Sequence, residues 1–140
     1  MKQQTTLLLL TLCAVSVSGC SSTTAKQTSA TADKARQLAQ QHIIIDTHID
    51  VPYRLHKDWE DVSVATKRGE FDYPRARQGG LNAPFMSIYI PASHERTGGG
   101  YLLANQLIDS MEALVGRAPD KFAMADSTAD VISQFGSGKI

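Results

Sequence analysis

The chain has 140 residues and carries 14 Lys+Arg against 14 Asp+Glu, a formal net charge of zero. That balance supplies no basic field to hold nucleic acid and no acidic tail for a cationic partner. A hydrophobic content of 42% excludes a wholly disordered chain and fits an ordinary folded domain. Both cysteines, Cys13 and Cys20, fall in the first twenty residues, so the rest of the chain has no thiol for a disulfide.

Lys2 is followed by the apolar run Leu7–Val15, then by Val17-Ser18-Gly19-Cys20. The run is too short to span a bilayer, which takes about 20 residues. Charged start, apolar middle and small-residue end form an export signal over residues 1–19. The ending resembles the bacterial lipoprotein signal, in which cleavage precedes the Cys. On that resemblance Cys20 is the lipidated first residue of the mature protein. Ser21 behind it implies sorting to the outer membrane, facing the periplasm of a bacterial envelope. Residues 20–31, rich in Ser and Thr with no apolar period, are expected to be a flexible tether.

The folded part is expected from residue 32. Thr31 or Asp33 can cap a short surface helix over residues 34–41. Ile43-Ile44-Ile45 inside residues 42–50 predicts a strand buried on both faces, ended by Pro52. Residues 54–80 are mixed in charge and read as a long loop with helical turns, with Trp59 packed beneath it. Ala83–Pro91 predicts a second strand closed by proline. Leu103, Leu107, Met111 and Leu114 recur at helical spacing, which predicts a helix over 101–115 ended by Gly116 and Pro119. Ser127 and Asp130 form a capping pair before Val131, Ile132 and Phe135, and Lys139-Ile140 reads as the start of a third strand. Strands and helices in this alternation give an α/β class.

His48 and Asp50 are the candidate metal ligands. On a strand, side chains two apart share a side, so an imidazole and a carboxylate would reach toward one point at a strand's C-terminal end. Asp46 has the same parity and could support them from beneath; a structural role is equally open. His42, His56 and His94 lack ligand spacing to His48 and read as ordinary polar positions. Arg75 and Arg77 accompany no phosphate-loop pattern and read as a solvated helix end.

Asp46-Thr47-His48-Ile49-Asp50-Val51-Pro52 resembles the opening strand of the renal, or membrane, dipeptidase family of zinc peptidases, which usually reads D-G-H-N-D-L-P. Gly79-Gly80 followed by Ala83-Pro84-Phe85-Met86-Ser87-Ile88-Tyr89 is similar to that family's G-G-V-G-A-Q-F-W-S-x-Y stretch. Asp120-Lys121-Phe122 with residues 127–139 resembles its short helix before the third strand. The resemblance implies a TIM-like (β/α)8 barrel with two Zn2+ ions, the first held partly by His48 and Asp50, and dipeptide hydrolysis by an oxygen nucleophile bridging the two metals. It implies a membrane-tethered enzyme, a homodimer when complete.

A barrel takes about 250 residues, so residues 32–140 are expected to be only its N-terminal part. The family's bridging glutamate, later histidines and catalytic aspartate are expected beyond Ile140. No catalytic residue is then assigned within this stretch, which is expected to be inactive alone. Thr47 and Ile49 replace the family's usual Gly and Asn, and Met86 replaces an aromatic, none of them a ligand position. The rival reading is a non-catalytic envelope lipoprotein built on the same scaffold. Another metal-dependent amidohydrolase would carry His-x-His here, against which Asp50 argues.

Overall fold

The computed structural model describes residues 21–140, so the expected export signal and Cys20 lie outside the described residues. The chain runs α1 (Ser21–Gln41), β1 (Ile44–Ile49), α2 (Val51–Lys57), α3 (Tyr73–Gly79), β2 (Leu81–Met86), α4 (Ser93–Thr97), α5 (Gly100–Arg117) and α6 (Thr128–Phe135). This is an α/β arrangement around a two-stranded parallel sheet, β1 beside β2. Among the described residues no further strand closes it into a barrel.

The helix expected over 34–41 is present, but α1 continues back to Ser21, through residues expected to be a tether. Its last turn is held to the body: Gln40 Nε2 donates to the carbonyls of Arg77 and Gln78 at 2.9 and 3.4 Å. These belong to the last turn of α3, where the Arg77 carbonyl also accepts from Gly80 N at 3.2 Å.

Local chemistry accounts for the other ends. Asp72 caps α3 by accepting from Arg75 N at 2.9 Å, and Pro74 occupies the first turn, where its missing N–H costs nothing. Gly80 ends α3 at φ +88°, and a Cβ there would stand 2.5 Å from the Ala39 carbonyl oxygen of α1. Only glycine meets both demands. The Ser127 hydroxyl accepts from Asp130 N at 3.2 Å and donates to Asp130 Oδ2 at 2.7 Å, the reciprocal cap the sequence predicts for α6.

The predicted stripe on α5 is the core stripe. Leu103, Leu107, Met111 and Leu114 are all buried. Met111 and Leu114 pack with Val51 and Leu55 of α2, Ala76 of α3, and Val62, Phe71, Ala118, Phe122 and Ile140 from the connections. At about 1.5–3 kcal/mol per buried side chain, this cluster is the main favourable term holding α2, α3 and α5 together.

Four expectations change. β1 is largely exposed rather than buried on both faces, with Ile45 52% exposed, and its Ile49 packs partly buried against the core. Pro52 does not end a strand; β1 stops at Ile49, and Pro52 sits in the first turn of α2, where proline is tolerated. β2 begins and ends earlier than expected and contains Pro84, which a strand at a sheet edge can carry. Trp59 is 63% exposed rather than packed, while Val62 and Phe71 of the same connection are buried.

Ile140 joins no sheet strand. Its N–H donates to Lys121 O at 2.9 Å and its carbonyl accepts from Ala123 N at 3.0 Å, which fixes the end of the described chain against the α5–α6 connection.

Candidate metal centre

His48 lies near the C-terminal end of β1, and Asp50 is the residue before α2. His48 Nε2 and Asp50 Oδ1 are 3.2 Å apart, and their side chains are 66% and 60% exposed. The pair meets on an open face reachable by solvent and ligand, although Asp50 lies beyond the end of β1 and strand parity does not itself join the two. Asp50 has φ −84° and ψ 32° and makes no side-chain cap bond to α2, so its carboxylate is not consumed as a helix cap. Asp46 Oδ1 accepts a hydrogen bond from His48 N at 3.0 Å.

The donor spacing can be tested against a cation. Zinc–ligand distances of about 2.0–2.2 Å at a tetrahedral angle put two donors about 3.4 Å apart. The observed 3.2 Å matches that separation closely, and nitrogen plus carboxylate oxygen is a donor set zinc accepts. The same distance is an ordinary His–Asp hydrogen bond. Among the described residues no third His, Cys, Asp or Glu joins them in a metal-sized cluster. These residues present two candidate donors, fewer than a metal site needs.

A set of aromatic rings lies on the same, C-terminal side of the sheet. Tyr53, on the first turns of α2, meets Tyr89 edge-on at 5.2 Å and lies near-parallel to the His56 ring at 6.3 Å. Tyr89 follows β2 as Tyr53 follows β1, so both rings come from the C-terminal side of the sheet. Sequence reading did not single out Tyr53; a pairing between residues 36 positions apart leaves no periodic signal. His56 is thereby an aromatic neighbour, and His94 Nδ1 stands 3.1 Å from Gly98 O in its own turn. Neither joins His48.

The loop between α2 and α3 is fixed by two ionic clips. In the first, Arg54 of α2 donates to Glu60 at 3.1 Å and to Arg68 O at 3.2 Å, while Lys67 N donates to Glu60 at 3.3 Å. Partial burial resists ionisation of Glu60, but the Arg54 bond, the Lys67 amide and Arg68 outweigh it and hold the carboxyl below its usual range. Arg68 also pairs with Asp58.

In the second clip, Asp72, 1% exposed, accepts from Thr66 N at 2.8 Å and from Arg75 Nε at 2.8 Å. Burial opposes its charge, yet the Arg75 guanidinium and the Thr66 and Arg75 amides hold it well below the usual carboxylate range. Arg75 is thus a structural cation rather than a solvated helix end: it also donates to Gly69 O at 2.7 Å.

An apolar cavity of about 380 Å³ opens between β2, α5 and α6, lined by Phe85, Met86, Met111 and Val131 among others. Neither His48 nor Asp50 lines it. It has no titratable group to do chemistry, so the site is argued from the His–Asp pair. No helix among the described residues is long and apolar enough to cross a membrane.

Comparison with known proteins bears on this geometry. The family model for membrane dipeptidase (peptidase family M19) matches residues 32–140. A curated protein of Aspergillus terreus named Dipeptidase ataJ is 30% identical over 119 residues, covering 76% of this chain and 29% of its own length. The chain therefore spans under a third of the length of that relative. The match reaches from the end of the Ser/Thr-rich segment through β1, β2 and α6, and includes the His48–Asp50 pair. The chain belongs to the membrane dipeptidase family, peptidase family M19.

Proposed function

We propose that this chain supplies the first ligand-bearing strand of a zinc-dependent dipeptidase with a (β/α)8 barrel. The supporting observation is the His48–Asp50 pair: two donors at a zinc-compatible separation, exposed at the C-terminal end of the first strand. That end is where barrel enzymes gather catalytic groups. The substrates are dipeptides. By resemblance, a D-residue is tolerated at the C-terminal position.

His48 and Asp50 hold one metal. When bound, zinc polarises a carbonyl and activates water. His48 would contribute an imidazole nitrogen and Asp50 a carboxylate oxygen. Tyr53 and Tyr89, paired on the C-terminal side of the sheet, would offer an aromatic surface to a substrate side chain. The remaining ligands and the catalytic groups come from other strands of the barrel. The protein is exported and held to the outer membrane through lipid on Cys20. More than one acyl chain is needed for a stable anchor, and the N-terminal lipid supplies it.

The test is made in the whole protein. His48→Ala and Asp50→Ala each remove zinc, measured by elemental analysis after dialysis, and dipeptide hydrolysis with it. Full zinc content and full turnover in either variant refutes the ligand assignment. A wild-type protein that binds no zinc and cleaves no dipeptide favours a non-catalytic envelope lipoprotein instead.

A further inference from the structure

The two strands fall out of step where the site is built. From Asp46 to Ile49 β1 advances three residues, while its partner β2 advances two, from Pro84 to Met86. Thr47 and His48 have no register partner on β2. One extra residue against the partner strand is a β-bulge, which bends the strand and re-aims the side chains on it; β2 carries the opposite shift earlier, between Leu81 and Ala83. A bulge interrupts the ladder, and an unpaired backbone donor carries a cost of its own. Here the His48 N–H is taken by Asp46 Oδ1 at 3.0 Å.

Geometry makes the bulge matter. Residues two apart on a regular strand have Cα atoms about 6.8 Å apart, with parallel side chains. His48 Nε2 and Asp50 Oδ1 nevertheless meet at 3.2 Å. Two local departures from strand geometry flank the pair: the bulge at His48 and the turn into α2 at Asp50. Asp46 is bonded to the first of these.

We propose that Asp46 is a positioning residue: its carboxylate oxygen accepts the His48 N–H, holds the bulge, and thereby aims the imidazole at the point shared with Asp50. This rests on the reading of His48 and Asp50 as metal ligands. Asp46 needs only an acceptor oxygen for this task, not a charge, which distinguishes it from a third ligand or an electrostatic partner of the metal. Asparagine offers the same oxygen; alanine does not.

The experiment compares Asp46→Asn with Asp46→Ala in the whole protein. One readout is zinc affinity, by competition with a chromophoric chelator. The other is hydrogen exchange of the His48 amide in the metal-free protein. Asp46→Ala is expected to weaken zinc binding ~10–100-fold. It should also speed exchange of the His48 amide by ~10-fold. Asp46→Asn should stay within ~3-fold of wild type in both.

Asparagine as damaging as alanine to zinc binding overturns the proposal in favour of a role for the charge. An alanine variant that binds zinc normally overturns it in favour of a bond without consequence for the site. If alanine prevents folding, the asparagine variant still decides, since it must keep both properties. Failure of the metal reading shows separately, as zinc retained by His48→Ala.

Discussion

Replacing Asp72 with alanine removes the acceptor at the centre of the second ionic clip, and the cost can be worked from its contacts. The α3 cap bond to Arg75 N disappears, worth about 1 kcal/mol. Thr66 N loses its 2.8 Å partner in a part-buried setting, worth about 1–3 kcal/mol. Arg75 is 39% exposed and can rehydrate, so its share is discounted to about 0–1 kcal/mol. The expected total is about 2–5 kcal/mol. In urea denaturation this lowers the midpoint by roughly 1–2.5 M with little change in slope.

The same carboxylate sets an acid signature. Its pKa in the folded protein is held below the unfolded value, so the unfolded chain binds more protons as pH falls below about 3.9. The stability Asp72 contributes is full above that pH and is lost as pH descends toward its folded pKa. Wild-type protein should therefore lose stability more steeply below pH ~4 than Asp72→Asn, which has no proton to take up at this position. A midpoint for Asp72→Ala within ~0.5 kcal/mol of wild type, or identical acid slopes for wild type and Asp72→Asn, refutes the clip as a stabilising element.

Two further outcomes follow from other parts of the molecule. Gly80→Ala must place a methyl 2.5 Å from the Ala39 carbonyl oxygen at φ +88°, and should cost about 1–3 kcal/mol in thermal or urea unfolding; a neutral substitution would show that α1 does not hold this close approach. Cys20→Ala should move the protein from the detergent phase to the aqueous phase in Triton X-114 partition and abolish labelling by radioactive palmitate. Unchanged partition and labelling would remove Cys20 as the anchor.

Residue pattern alone located much of this fold. Helix α5 follows from four apolar residues at helical spacing, and all four are buried. The Ser127–Asp130 cap could be read directly, because a cap is a contact between residues three apart. Family membership was legible in His48-Ile49-Asp50 and in the stretch after Gly79-Gly80, which fall within the matched residues 32–140. Strand edges were less legible. The isoleucine run predicted burial, yet Ile44 and Ile45 are exposed, since burial depends on neighbouring elements and not on the strand's own composition.

The sequence by itself determined where α5 and α6 lie, which family the chain belongs to, and that it carries no net charge to steer a polyanion. Those properties are local or additive, so they survive without coordinates. Tertiary structure alone decided that β1 carries a bulge at His48, that Asp46 serves the His48 amide, that Tyr53 meets Tyr89, and that Arg75 is consumed by Asp72. The bulge depends on pairing register and the Tyr53–Tyr89 contact on long-range packing, while the Asp46 and Asp72 bonds are short in sequence but need the backbone geometry that the fold imposes. Register is fixed by the partner strand, and a shift of one residue would turn every side chain to the other face.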